Sequence, residues 1–367
     1  MADHLPEHVI VQILERLPTK SLIRFTSVSK RWRFIILSDP HFAKSQFQIG
    51  SHHQTLRHRL LISSASESRF KSLDLDAPSQ SPLGDICSVR CPLAQQPGSP
   101  PIRILCSCNG LILATLEDQE NNMYIWNPST QFFKNLPDPA DLPSKPQCLV
   151  YYGFGYLSAT DDYKIIANLE VILGGEVEGK EMHIFSSKAN IWKRTESPLD
   201  SDIQYEGTLS NEALHWLDNL GILAFDLAKE EFRRLPLPIL DGDFRGLRAF
   251  GDCLCAFDFE NLDLWVMKEY GVADSWTKLF KLKVSNQPEK IFGCWPMSVM
   301  ETSTFLQKGP LCRGGELVFD LIRSVHTEEK PEMHVLSSDA DFREMIEYQE
   351  TLLWLGIDCY ISGWGRS

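Results

Sequence analysis

The chain has 367 residues, 43% of them hydrophobic and 23% charged, with a formal net charge of −13. That balance supplies a sizeable core and excludes wholesale disorder. No apolar run approaches the roughly 18 residues of a membrane span, and the start Met1-Ala2-Asp3-His4-Leu5-Pro6 has neither a secretory signal nor the second-position glycine of myristoylation.

Residues 5 to 46 have helical periodicity. Pro6 suits a first helical turn, and Val9, Ile10, Ile13, Leu14 and Leu17 recur at helical spacing until Pro18. Thr19 is placed to cap a second short helix carrying Leu22, Ile23 and Phe25. Val28, Trp32, Ile35 and Ile36 form a third stripe, closed by Ser38-Asp39-Pro40. About 40 residues bury too little surface to be stable alone, so these stripes require completion by a partner or by the rest of the chain. On spacing alone, a helical cap on a larger domain explains them equally well.

The runs Leu5-Pro6-Glu7, Ile13-Leu14-Glu15-Arg16-Leu17-Pro18, Ser21-Leu22-Ile23-Arg24-Phe25, Val28-Ser29-Lys30-Arg31-Trp32-Arg33 and Ser38-Asp39-Pro40-His41-Phe42 resemble a plant F-box from end to end. The resemblance implies that Leu5, Pro6, Ile13, Leu14, Leu17 and Pro18 face a Skp-type adaptor, and that Val28 and Trp32 pack the small helical core. Ser29 stands where many F-boxes have Cys, and His8 where acidic residues are common, which weakens the first helix slightly.

Beyond residue 46 the pattern changes to short β-rich runs broken by Gly, Pro, Asn and Asp. Trp126 lies seven residues before Phe133, Phe185 before Trp192, Phe225 before Phe232 and Val335 before Phe342; the fifth copy, Trp265 to Trp276, is four residues longer. Turn chemistry separates each pair, as in Asn127-Pro128-Ser129-Thr130 and Asp226-Leu227-Ala228-Lys229, so each pair predicts a β-hairpin. The second aromatics recur at 59, 40, 44 and 66 residues, near the ~40 to 50 residues of a propeller blade with insertions. Leu60 to Leu73 supplies another candidate unit, and a β-sandwich gives similar strand spacing. Trp126, Trp192, Trp265 and Trp276 are expected to be buried between blades.

Ser107-Cys108-Asn109-Gly110-Leu111, Trp126-Asn127-Pro128-Ser129-Thr130, Gly153-Phe154-Gly155-Tyr156 and Trp265-Val266-Met267-Lys268-Glu269-Tyr270-Gly271 resemble the F-box-associated, kelch-related domain of plant F-box proteins. The two resemblances together imply an α+β two-domain chain. A small three-helix F-box occupies residues 1–46, and a linker that can hold a first blade occupies 47–104. An all-β, propeller-like target-binding domain of six blades, with seven as the alternative, occupies 105–367. Ser64 to Pro101, rich in Ser and Pro, reads as loop.

Motifs for catalysis are weak. Gly174-Gly175-Glu176-Val177-Glu178-Gly179-Lys180-Glu181 has the glycine and lysine spacing of a phosphate loop, but Glu181 replaces the magnesium-binding hydroxyl, and Glu176 and Glu178 repel phosphate. An acidic hairpin tip is the better reading, and Glu176 and Glu178 become candidate target contacts. Gly153-Phe154-Gly155 lacks the third glycine of a dinucleotide loop. The ten cysteines contain no CxxC pair and read as reduced core thiols, with no metal and no cofactor; His52, His53 and His58 read as solvated. Residues 1–46 carry seven Lys/Arg against four Asp/Glu, net +3, which leaves −16 for the rest; an acidic β domain disfavours nucleic acid.

Three functions fit a propeller: a ubiquitin-ligase adaptor, a free-standing binder of a glycan or small ligand, and an enzyme similar to kelch-type oxidases. Only the first has a use for an F-box. The expectation is therefore a non-catalytic substrate-recognition subunit of a Skp–cullin–F-box ubiquitin ligase, cytoplasmic or nuclear. Its partners are a Skp-type adaptor, a cullin through it and an unidentified target protein, without nucleic acid or membrane.

Overall fold

The structure is a computed structural model that describes residues 5–64, 70–77, 86–93, 100–117, 119–138, 148–173, 176–197, 207–239, 242–261, 263–281, 294–299, 303–313, 316–325, 332–339, 342–355 and 360–361. The chain divides into two compact units. One comprises Met1–Pro78, Gly84–Leu136 and Arg343–Ser367; the other comprises Ser79–Leu83 and Pro137–Phe342.

The first unit opens with α1 (Glu7–Leu14), α2 (Thr19–Phe25), α3 (Lys30–Ser38) and α4 (Pro40–His52). Pro6 and Pro18 precede α1 and α2, while Ser29 caps α3 by accepting from the Trp32 amide at 3.1 Å. Four helices replace the three expected. Asp39-Pro40, read from the sequence as a stop, is also a start: the Asp39 carboxylate accepts from the His41 amide at 2.9 Å, and Pro40 occupies the first turn. Thr19 is not a cap but the first residue of α2. The helices bury Leu14, Leu22, Ile35, Ile36, Phe42 and Ala43 in one cluster.

β1 (His58–Ser64), β2 (Phe70–Asp74) and β3 (Cys87–Val89) follow, with Leu60 opposite Leu73. Two of these strands lie in the Ser/Pro-rich stretch expected to be loop. A second sheet contains β4 (Ile102–Cys108), β5 (Leu111–Leu116), β6 (Gln119–Trp126) and β7 (Phe132–Asn135). Leu61, Phe70, Ile104, Ile112 and Trp126 share a core between the two sheets.

Among its described residues, the second unit has four sheets of consecutive antiparallel strands. The first contains β8 (Cys148–Leu157), β9 (Asp162–Leu173), β10 (Glu176–Ser186) and β11 (Ile191–Glu196). The next contains β12 (Thr208–Ser210), β13 (Ala213–Asp218), β14 (Gly221–Asp226) and β15 (Glu231–Leu235). Then come β16 (Phe244–Phe250), β17 (Cys253–Asp258), β18 (Asp263–Met267) and β19 (Trp276–Lys281). The last contains β20 (Cys294–Val299), β21 (Ser303–Arg313), β22 (Glu316–Val325) and β23 (Glu332–Asp339). The chain then returns to the first unit, where β24 (Phe342–Gln349) lies beside β1 and β25 (Tyr360–Ile361) beside β7.

Among the described residues, five sheets have the four strands of a propeller blade and one has five, β25 being the extra strand. Counted by its four-stranded sheets, the propeller therefore has five blades, which corrects the six expected, with seven as the alternative. Apolar layers fill the space between successive sheets, with Ile166, Ile184, Trp216 and Phe225 in one and Leu247, Leu254, Ala256 and Ile222 in the next.

The seven-residue aromatic spacing has a local cause. In three hairpins a side chain caps a four-residue turn and a left-handed residue closes it: Gln131 (φ 67°), Asn190 (φ 55°) and Glu230 (φ 56°). Their amides bond back to the carbonyls of Asn127, Ser186 and Asp226 at 2.8–2.9 Å, which sets Trp126 opposite Phe133, Phe185 opposite Trp192 and Phe225 opposite Phe232. The other two pairs do not form. Val335 pairs with Ile322 while Phe342 begins β24 of another sheet, and a short 3-10 turn at Ala273–Ser275 leaves Trp265 opposite Lys278 and Trp276 opposite Met267.

Gly153 serves packing. A Cβ there would lie 2.7 Å from Leu214 and 2.9 Å from Trp216, so only glycine lets the next sheet approach this closely.

Candidate protein-interaction site

The helical segment leaves apolar surface uncovered. Leu5 (58% exposed), Ile13 (49%), Val28 (59%) and Phe34 (52%) are four of the ten exposed large apolar residues among those described, and all fall within thirty residues of one another. Isolated exposed apolar residues are ordinary, but such a concentration on one small element marks an interaction surface. Glu7 of α1 forms an ion pair with Arg31 of α3, and the Arg31 guanidinium lies 5.5 Å from the Phe34 ring centroid. The exposed ion pair joins the starts of the two helices, whereas the Arg31–Phe34 contact lies within α3.

Expected site residues divide. Leu5, Pro6, Ile13 and Pro18 are exposed, whereas Leu17 is half-buried against the helical core. Leu14, expected on the partner face, is only 1% exposed and lies within the core. Val28, expected in the core, is the most exposed of the four; Trp32 does pack there, edge-on to Phe25 at 5.7 Å. The sequence reading missed Phe34, although its position within the third helix, off the Trp32/Ile35/Ile36 stripe, carried the signal.

The helical core is completed from the far end of the chain. Leu352, three residues beyond β24, is 1% exposed and belongs to the helical cluster. The Thr19 hydroxyl donates to the Glu350 carbonyl at 2.9 Å, and the Glu350 amide donates to the Arg57 carbonyl at 2.9 Å. The cavity here, lined by Leu17, Gln46, Leu56, Arg57 and Glu350, leaves ≈ 10 Å³ to the centre of a water-sized body, room for about one water. Burial raises the Glu350 carboxyl above its ordinary pKa, against the pull of Arg59 and Arg57.

The acidic segment is mainly strand. Glu176 begins β10 opposite Leu173, and Glu181 lies well inside the strand, opposite Leu169 and paired with Arg194. Gly174 and Gly175 lie outside the described residues. Of the four tryptophans expected to be buried, Trp126 and Trp276 are; Trp192 and Trp265 are half-buried. Trp192 and Trp276 donate to the carbonyls of Pro137 and Pro236 at 2.8 and 2.9 Å. Burial pushes the Cys255 thiol up to about 12 and raises that of Cys108, which keeps both protonated.

Comparison with known families decides the identity. Residues 3–44 match the F-box domain, and residues 61–314 match the F-box associated beta propeller domain. The chain belongs to the F-box associated beta propeller family. It is similar to F-box protein CPR1 of Arabidopsis thaliana, 32% identical over 319 residues, which cover 76% of this chain and 73% of that protein. It is also similar to the F-box/kelch-repeat protein At3g23880 of the same plant, 28% identical over 76% of this chain and 79% of the relative. In this F-box protein, the uncovered apolar side chains therefore lie on the F-box, and the sheets form an all-β propeller.

Proposed function

We propose that the chain is the substrate-recognition subunit of a Skp–cullin–F-box ubiquitin ligase, with a Skp-type adaptor held by Leu5, Pro6, Ile13, Pro18, Val28 and Phe34. The observation that carries this reading is the group of outward apolar residues on the matched F-box. Leu17 contributes at the edge, and Leu14 and Trp32 support from within. The adaptor bridges to a cullin, and the propeller binds a target protein in cytoplasm or nucleus.

The role is positional and non-catalytic. Holding a target beside the ubiquitin-charged enzyme raises the effective concentration of its lysines without this chain making or breaking a bond. Target choice belongs to the loops between strands, which tolerate variation that paired strands do not. The β9–β10 hairpin, with Glu176 and Glu178, is one candidate contact. Reversing both charges should slow association of a captured target at low salt and leave adaptor binding unchanged; equal rates for both versions at low and high salt would remove this hairpin from the recognition surface.

Co-purification tests the assignment. Leu5→Ala with Pro6→Ala should abolish recovery of the Skp-type adaptor while the β domain keeps its melting temperature. Undiminished recovery would refute it.

A further inference from the structure

The Trp126-Asn127-Pro128 turn has more bonds than its hairpin requires. The Asn127 side chain is fully engaged: Oδ1 accepts from the amides of Ser129 at 2.8 Å and Thr130 at 3.3 Å, which shapes the turn. Its Nδ2 points the other way and donates to the carbonyls of Thr351 at 3.1 Å and Leu353 at 2.8 Å. Between those two carbonyls lies Leu352, buried in the F-box core. The neighbouring Asn109-Gly110 turn grips the same segment: the Thr351 hydroxyl donates to the Asn109 carbonyl at 3.1 Å, and a Cβ on Gly110 would stand 2.3 Å from the Gln349 carbonyl oxygen. On the other side, Thr19 of α2 bonds Glu350.

We propose that residues 349–353 are a strap that fixes the orientation of the F-box on the β4–β7 sheet, and that Asn127 is the positioning residue that holds it. Every bond lies within the first unit. Consecutive strap residues alternate in allegiance, with Thr351 and Leu353 held by the turns of the β4–β7 sheet and Glu350 and Leu352 reaching the helices, Glu350 being bonded also to Arg57 and to Arg59 of β1. One extended segment thus ties two elements that are separated in sequence from each other and from it. The inference rests on the ligase reading only for its consequence: a fixed F-box gives the adaptor a fixed direction relative to this sheet, so a bound target meets the ubiquitin-charged enzyme at a set distance.

Hydrogen exchange on the full-length protein tests the coupling. Asn127→Asp keeps the acceptor that shapes the turn and removes both donors to the strap. Amides of α1 to α4 should then exchange roughly ten- to a hundredfold faster, as expected for losing two buried hydrogen bonds. Amides of β13 and β14 in the other unit should keep their rates. Thr19→Val releases the strap from the helical side and should give the same pattern at a smaller, severalfold size. Unchanged helix rates in both variants would overturn the proposal, as would equal acceleration in β13 and β14, which marks general destabilisation. Titration of a Skp-type adaptor into the parent separates the two readings: failure to bind removes the ligase role, whereas the exchange pattern stands or falls on its own.

Discussion

The two units reach a closed core by opposite routes. In the second unit, successive sheets are consecutive hairpins, each strand pairing with its neighbour in sequence, and among the described residues of 137–342 five large apolar side chains are exposed, spread along the chain. The first unit is assembled from three distant segments, with β24 beside β1 and Leu352 in the helical core, yet four large apolar residues remain exposed between residues 5 and 34. The strap shows that the chain can complete the F-box where completion is structural. On the proposed ligase reading, the apolar residues left outward are those that the adaptor covers.

The largest expected effect lies in the second unit. Trp216 is 2% exposed and packs against Gly153 and Gly207, so Trp216→Ala should cost about 3–5 kcal/mol, read by denaturant unfolding. Trp192→Ala should cost less, because its side chain is already partly exposed. Equal costs would mean that burial between sheets does not set stability here. Gly153→Ala, which drives a methyl into Leu214 and Trp216, should destabilise by about 1–3 kcal/mol.

Acidity separates the units. Burial holds His215 neutral, its pKa lowered to about 4, with Nδ1 3.1 Å from the Thr208 carbonyl and Nε2 2.6 Å from the Tyr270 hydroxyl. The unfolded chain takes up that proton first, so this stability is complete above the ordinary value and is lost as pH falls from about 6.5 toward 4. It amounts to about 3 kcal/mol at most, and His215→Gln should flatten the loss in acid melting curves. His58 behaves in the opposite sense. Its hydrogen bond to Glu347, at 2.8 Å across β1 and β24, raises its pKa. The bond's contribution is present below the ordinary value and fades as pH rises through the raised one. With about a third of the side chain exposed, solvent screening keeps it below about 1 kcal/mol, and Glu347→Gln should lower the melting temperature more at about pH 5.5 than at about pH 8.

The routes also explain what the sequence disclosed. A four-residue turn closed by a left-handed residue is local, so the spacing from Trp126 to Phe133 and from Phe225 to Phe232 was legible. The spacing from Val335 to Phe342 looked the same but joined two sheets, because spacing cannot report which strands pair. Helical periodicity located α1 to α3 and their apolar stripes. It could not say which side of a stripe is covered, so Leu14 and Val28 exchanged places. Asp39-Pro40 read as a stop because the same two residues end one helix and begin another. Nothing in Glu350-Thr351-Leu352 announces a strap, since its partners Asn127 and Thr19 lie hundreds of residues away.

The central claim is that the outward apolar residues of the F-box are an adaptor seat rather than unfinished core. Calorimetric titration of a purified plant Skp-type adaptor into the parent and into Ile13→Ala with Phe34→Ala tests it most directly. The two side chains contribute little to folding where they stand, so the melting temperature should hold within a degree or two while Kd rises by roughly a hundredfold, the size expected for truncating two anchors at an interface centre. An unchanged Kd, with both proteins folded, would contradict the account.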